Sequence, residues 1–442
     1  MSGIASFLSS FFKIEEKGSS IKNEFIGGLT TFMAMAYIIF VVPSMLSDAG
    51  MPKEAAITAT IVITAVISLG MGLWANFPVA VAPGMGITAF FAYYVCGAMG
   101  LSWQVALGAV FISGICFLIL TVTRLRQLII DSVPMDMKYA IVVGIGMFIA
   151  FIGLKNCGII VDNPATFVGL GDLSQPGAFL AVVGICIIGA MIARDMAGAI
   201  IVGILAVTLL GMVIGAVAVP ASLADVASFS FPSMAPIFME MDVLGAVNYG
   251  LLSIIFTLTI VDLFDNIGTL IGLSRKANLM QEDGHIPNLD KALITDSVGT
   301  MVSACFGTTT ATSYIESAAG IAAGGRTGLT AVVTALLFLV ALVFAPLVGI
   351  VPSFATAPAL IVVGALMMQE VVHIKFNDFT IAVPAFLTII MMPLTYSIAS
   401  GFGFGFISYA LLKTLAGRYK EVSPVMWVIC VCFGINFFLR LH

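Results

Sequence analysis

Residues 306–320 read FGTTTATSYIESAAG: a run of threonines, a lone glutamate, then small residues, in surroundings that are otherwise apolar. The threonines Thr308, Thr309 and Thr310 are poor helix formers, because a β-branched side chain loses rotamer freedom against the preceding turn. The Ser, Ala and Gly residues after Glu316 permit a short helix that approaches its neighbours closely. The stretch therefore predicts an extended lead-in followed by a half-helix, with a carboxylate at the junction. Such a break is tolerated at membrane depth only where protein or a cavity shields the backbone.

Working outward, the surroundings are those of a membrane. The chain has 442 residues, 60% hydrophobic and 9% charged, with a mean hydropathy of +1.15; soluble domains carry about 25% charged residues. Apolar runs of ~20 residues recur throughout, each long enough to cross a hydrocarbon core of ~30 Å. They show no ten-residue alternation of a barrel, so the fold class is all-α and polytopic. The net charge of −5 is small and gives no reason to expect nucleic acid as a partner. The seven cysteines lie mostly inside apolar runs and read as small core residues. His285, His373 and His442 are distant from the buried acids, so no metal ligand set is visible and no cofactor is expected. Neither a phosphate-binding loop nor a nucleophile–base pair at membrane depth appears, which argues against a primary pump and against an enzyme.

Spans are expected near 25–46, 55–75, 78–98, 102–123, 136–154, 175–193 and 196–219, then 245–273, 290–306, 309–323, 328–350, 354–371, 378–397 and 400–417, with a further apolar run at 424–439. An N-terminus inside the cell membrane places most Lys and Arg on the inner face, including Lys13, Arg126, Arg194, Arg275, Arg326 and Arg418. It leaves Lys53, Lys155 and Arg440 outside, as the positive-inside rule requires. The chain then divides into an N-terminal segment (1–24), a first seven-span repeat (25–219), an outer loop without Lys or Arg (220–244) and a second repeat (245–442). Seven is odd, so a structural duplication would be inverted. The third span of the first half, FPVAVAPGMGITAFFAYY (77–94), and the third of the second half are both short and broken. Broken spans at corresponding positions point to a transporter's binding site.

The acids inside spans are few, hence informative. In IVDLFDNIGTLIGL (260–273), Asp262, Asp265 and Thr269 share one helical face. Asp265 is the stronger functional candidate, whereas Asp262 reads more readily as a structural partner of backbone or a neighbouring hydroxyl. Asp296, in KALITDS, is open to both a structural and a coupling role. Glu316 is expected early in the half-helix, where its carboxylate and free backbone N–H groups face one ligand.

APGMGITAFFAY, VDLFDNIGTLIGL, KALITDS and TSYIESAAGIAAGGRTGLTA, in this order, closely resemble the bacterial and fungal adenine/hypoxanthine/guanine permeases, a branch of the nucleobase:cation symporter-2 superfamily with a xanthine/uracil permease-like fold. The likeness covers essentially the whole chain. It implies fourteen spans in a 7+7 inverted repeat with discontinuous spans 3 and 10. It also implies a core domain from spans 1–4 and 8–11 and a gate domain from spans 5–7 and 12–14. It further implies that Asp265 and Glu316 hold the base, that Thr88, Ala89, Phe90 and Ser317 line the same site, and that Asp296 supports coupling together with Asp262 and Thr269.

The expected activity is secondary active import of purine nucleobases (hypoxanthine, guanine and/or adenine) by proton symport, with elevator-like motion of the core. Proteins of this fold often dimerise, so a homodimer in the lipid membrane is an expected assembly. Where many relatives have Asn in GMGLNAFF this chain has Thr88, which lacks the amide's two donors and leaves the preferred purine open. The alternatives are uracil or xanthine transport, and an anion transporter of the same fold. The latter would place a basic residue, or none, between the half-helices.

Overall fold

The computed structural model describes residues 2–123, 125–248, 252–280 and 286–439; the Asp265 side chain and His285 lie outside the described residues. Helices α1 (Ser2–Phe12), α2 (Ile21–Met35), α3 (Ile38–Asp48) and α4 (Lys53–Leu73) lead to strand β1 (Val81–Pro83), the short α5 (Met85–Ala89) and a π-helical segment, Phe90–Ala98. Then come α6 (Trp103–Val122), α7 (Leu125–Ser132), α8 (Met135–Asn156), the hairpin β2 (Ile160–Asn163) and β3 (Phe167–Leu170), α9 (Pro176–Ile192), α10 (Ala199–Val213) and α11 (Val243–Asn248). The second half runs through α12 (Leu252–Lys276), α13 (Leu289–Cys305), β4 (Ala311–Ser313), α14 (Ser317–Ala322), α15 (Gly328–Ala341) and α16 (Ala345–Ile350). It ends with α17 (Ser353–Met367), α18 (Phe379–Thr395), α19 (Ile398–Leu415) and α20 (Pro424–Leu439).

Among the described residues, seven helical stretches have the length and apolar composition to cross a bilayer: Ile21–Asp48, Lys53–Leu73, Trp103–Val122, Met135–Asn156, Gly328–Ile350, Ser353–His373 and Ile398–Leu415. Shorter apolar helices accompany them, including α9, α10, α18 and α20. Their starts follow ordinary capping chemistry: the hydroxyls of Ser20, Ser102, Thr327 and Ser397 and the carboxylate of Asp378 each accept a first-turn N–H. Large apolar side chains such as Phe179, Leu209, Val340, Phe386, Leu411 and Val428 point outward. An apolar outer surface of that kind belongs in hydrocarbon.

Two sets of contacts organise the bundle. In one, α8 packs on α17 and α18, α18 on α19, and α9 on α10 and α17; in the other, α6 packs on α12 and α13, while α2 and α4 pack on α15 and α3 on α4. The halves of the chain are joined at the centre of the second set. There β1 pairs antiparallel with β4 in the register Val81↔Ser313, Ala82↔Thr312, Pro83↔Ala311. Gly320 of α14 faces Gly27 of α2, and a Cβ on Gly320 would overlap the Thr31 hydroxyl and the Gly27 carbonyl. Small residues allow that approach without lost helix–helix contact.

The amino-terminal segment is tied down. The helix α2 begins at Ile21, ahead of the expected span, and Glu24 is fully buried rather than solvated. Its carboxylate accepts from the N–H groups of Arg326 (2.9 Å) and Thr327 (3.2 Å) and from the Thr330 hydroxyl (2.6 Å), so it caps the start of α15. Asn76 ties the same corner, donating to the Phe12 carbonyl at 2.9 Å and accepting from Gly328 N–H at 2.7 Å.

Candidate functional site

The chain leaves helical geometry at the extended segments β1 and β4, which pair with each other. Beside them Ala36 and Tyr37 join α2 to α3 with right-handed helical dihedrals, so only the regular hydrogen-bond ladder is interrupted there. Gly307, at φ +77°, ends α13 and turns the chain into the threonine run. A left-handed φ of this kind suits glycine, which has no Cβ to clash.

Three residue pairs per strand cannot satisfy all the polar backbone of β1 and β4, so side chains complete the job. Ser68 of α4 accepts from Val81 N–H and donates to Val81 C=O, both at 3.0 Å. Ser317 Oγ accepts from Ala80 N–H at 3.1 Å. The Tyr314 hydroxyl donates to the Pro83 carbonyl at 2.6 Å, and Asn266 Oδ1 accepts from Ser313 N–H at 2.7 Å. Thr88 is fully buried, donates to Gly84 C=O at 2.8 Å and meets Thr309 Oγ1 at 2.6 Å. Its hydroxyl is therefore engaged within the two lead-ins.

The acids divide by environment. Asp262 (1% exposed) accepts from Asn266 Nδ2 at 2.7 Å and from Thr300 Oγ1 at 3.3 Å. Asp296, fully buried, accepts from Ser313 Oγ through both oxygens, at 3.0 and 3.3 Å. These two carboxylates sit behind β4 and brace it through Asn266 and Ser313. Glu316 lies at the other end of the segment, half-buried, at the N-cap of α14. It accepts from the hydroxyl of the fully buried Tyr37 at 2.5 Å. Charge-assisted O–H···O⁻ bonds are the short, strong kind.

Among the other expected site residues, Ala89 and Phe90 are buried, and the Phe90 ring stacks on Tyr94 with centroids 5.1 Å apart. Thr269 is half-buried. The site expected for Asp265 falls outside the described residues. The geometry thus brings Thr88, Ser317 and Glu316 to one pair of lead-ins, with Asp262 and Asp296 as their rear support. Among the described residues no cluster of three or more His, Cys, Asp or Glu is arranged to hold a metal.

Sequence reasoning missed Tyr37 and Ser68. Asn266, four residues after Asp262, carried the right helical spacing to be its partner. Tyr37 had no such signal beyond being a polar tip within AMAYIIF.

A helical membrane protein whose polar breaks meet inside the bundle is the class of a transporter. The chain aligns with the transmembrane domain of the cyanobacterial bicarbonate transporter BicA (TM-score 0.61, 15% identity, 93% of this chain and 97% of that one). It aligns also with SLC26A9 (TM-score 0.62, 10% identity, 93% of this chain and 69% of that one). At such identities the likeness shows the fold alone. The chain belongs to the permease family: the xanthine/uracil-type family profile matches residues 22–404. It is 43% identical to adenine permease AdeP of Escherichia coli (strain K12), over 98% of this chain and 97% of that one. It is 42% identical to adenine permease AdeQ of the same strain (98% and 96%). With guanine/hypoxanthine permease PbuG of Bacillus subtilis (strain 168) it shares 42% (97% and 99%).

Proposed function

We propose that this permease imports purine nucleobases, among hypoxanthine, guanine and adenine, by proton symport across the cell membrane, with its N-terminus cytoplasmic. Full-length relatives named as adenine and as guanine/hypoxanthine permeases support the substrate class. The observation that carries the mechanism is the half-buried Glu316 carboxylate, held by Tyr37 where the two extended lead-ins meet. A purine is flat and neutral, edged with N–H donors and with ring-nitrogen and carbonyl acceptors. A carboxylate accepts from such an edge, and backbone N–H groups donate to it. In the proposed cycle Glu316 takes a proton, base binds beside it, and the neutralised site moves across the membrane.

The fourteen-span, 7+7 inverted reading is supported by the strand-then-helix order at both 81–89 and 311–322 and by the antiparallel pairing of the two strands. The division into core and gate is supported by the two packing sets, α2–α6 with α12–α15 against α8–α10 with α17–α20. An elevator motion is the sliding of the first set against the second. The acidic lining favours a neutral, donor-rich substrate over an anion, although the anion transporter shares the fold. The test is uptake of radiolabelled hypoxanthine into proteoliposomes with an inside-alkaline gradient, competed by adenine, guanine, xanthine and uracil. Competition by adenine or guanine and not by xanthine or uracil is expected; uptake indifferent to adenine and guanine but blocked by xanthine or uracil sinks the reading.

A further inference from the structure

Arg126 has no place in the site described above, and its environment is unusual for a residue that topology counts as an inner-face charge. On α7, between α6 and α8, it is 2% exposed. Its Nη1 donates to Thr121 Oγ1 at 3.2 Å, and its guanidinium carbon lies 4.9 Å from the centroid of the Phe117 ring. Among the described residues its buried Nε and Nη2 have no hydrogen-bond partner. A guanidinium carries five N–H donors, and burying one is costly unless opposite charge lies near.

That charge is present. The carboxylates of Asp296, Asp262 and Asp290, in decreasing order, act on Arg126 at Coulombic range. Burial pushes its pKa down to about 10, which leaves it a cation at neutral pH. Thr121 Oγ1 links it further toward Asp296, lying 3.3 Å from Ser297 Oγ. Of the helices packed on α7, α6 and α20 carry no charged residue, while α12 carries Asp262, Asp265, Arg275 and Lys276; α13, packed on α6, adds Asp290, Lys291 and Asp296. The Asn266, Thr300 and Ser313 groups that bond Asp262 and Asp296 are themselves neutral.

We propose that Arg126 is the fixed counter-cation of the Asp262–Asp296 pair, filling electrostatically the place that a sodium ion or the coupling proton would otherwise take. The inference rests on the proton-coupled transport proposed above. It makes Asp262 and Asp296 permanent braces of β4 and leaves coupling to acids on the Glu316 side. Arg126 is then a positioning residue, acting on the site through Asp296, Ser313 and Asn266.

The experiment is hypoxanthine uptake by the full chain in proteoliposomes, with and without sodium, for wild type, R126K, R126Q and the double variant R126Q/D296N, each checked for a monodisperse detergent-solubilised species. R126Q is expected to lose about tenfold or more of its uptake, because it removes a buried cation that faces the acid pair. R126K is expected to keep most uptake, and the double variant to recover to within about threefold of wild type because the net charge of the cluster is restored. If R126Q fails to insert, the double variant decides: recovery of insertion and uptake supports the proposal, and insertion without uptake overturns it. Wild-type uptake that requires sodium, or a folded R126Q as active as wild type, also overturns it. A wild type that imports no nucleobase fails the transport reading instead, whatever the variants do.

Discussion

Tyr37 and Glu316 lie 279 residues apart in sequence and meet in a hydrogen bond of 2.5 Å, the phenol donating to the carboxylate. The contact joins the junction between α2 and α3 to the start of α14, so each half of the chain fixes the other's polar residue. Removing only the hydroxyl, in Tyr37→Phe, frees the Glu316 side chain without opening a cavity. A hydrogen bond to a charged group is worth about 1.5–3 kcal/mol, so apparent substrate affinity should fall roughly tenfold or more. KM measured in proteoliposomes, at unchanged protein abundance, checks this.

Glu316→Gln should separate binding from coupling. The amide keeps an acceptor for Tyr37 but cannot exchange a proton. Uptake driven by a pH gradient is expected to disappear, while exchange of internal unlabelled for external labelled hypoxanthine survives at a reduced rate. An accumulation that still tracks the imposed gradient would move the coupling role elsewhere.

Glu24 should matter for stability and not for substrate. Three donors, the N–H groups of Arg326 and Thr327 and the Thr330 hydroxyl, converge on its carboxylate inside the protein. Each buried donor left unpaired costs about 1–3 kcal/mol, so Glu24→Ala should destabilise by at least ~3 kcal/mol and Glu24→Gln by less. Thermal denaturation in detergent followed by size-exclusion chromatography reads the difference, with KM of the surviving fraction unchanged.

The end of the bundle around α18 and α19 should be acid-sensitive. Arg418 bridges Asp378 and Glu421 at 2.7 Å each, and buried Lys413 reaches Glu421 at 2.7 Å. The Thr380 hydroxyl, then Arg418, depresses the carboxyl of Asp378, which caps α18 from outside the helix; Arg418, then Lys413, depresses Glu421. Carboxyls held low in the folded state add stability that is complete above their unfolded value of about 4 and is lost as pH falls through the folded value. The thermal midpoint should therefore be insensitive to this cluster from neutral pH down to about 5 and fall below about pH 4. Asp378→Asn should shrink that acid fall, and added salt should weaken the cluster because its carboxylates face solvent.

The sequence carried the membrane class in its hydropathy and the two polar breaks in the threonine run of 308–310 and the Pro-Gly of 83–84. It also pointed to Glu316, because a lone carboxylate among small apolar residues at membrane depth is costly to keep without a use. What it could not carry were partners supplied from afar. Tyr37 lies in an apolar run with no periodic signature, and its meaning depends on a residue of the other half. Arg126 was hidden by its own charge, which counts toward membrane topology whatever the guanidinium touches. Thr88 shows the same limit from the other side: a hydroxyl at a position that the resemblance assigns to the base is bonded to Gly84 and Thr309.

The pairing of β1 with β4 also sets an order of assembly. Pro83 and Tyr314 are bonded across 231 residues of sequence, so β1 enters the bilayer long before its partner has been synthesised. A strand of unpaired amides in hydrocarbon is costly, and long-range contacts are slow to close. Ser68, from the same half, covers both the N–H and the C=O of Val81 with one hydroxyl. Those two groups face away from β4, which bonds instead to the Ala80 carbonyl and the Gly84 N–H, so Ser68 can satisfy that edge of β1 without the second half. Its loss would then appear first as poor membrane insertion of the nascent chain, ahead of any defect in the finished transporter.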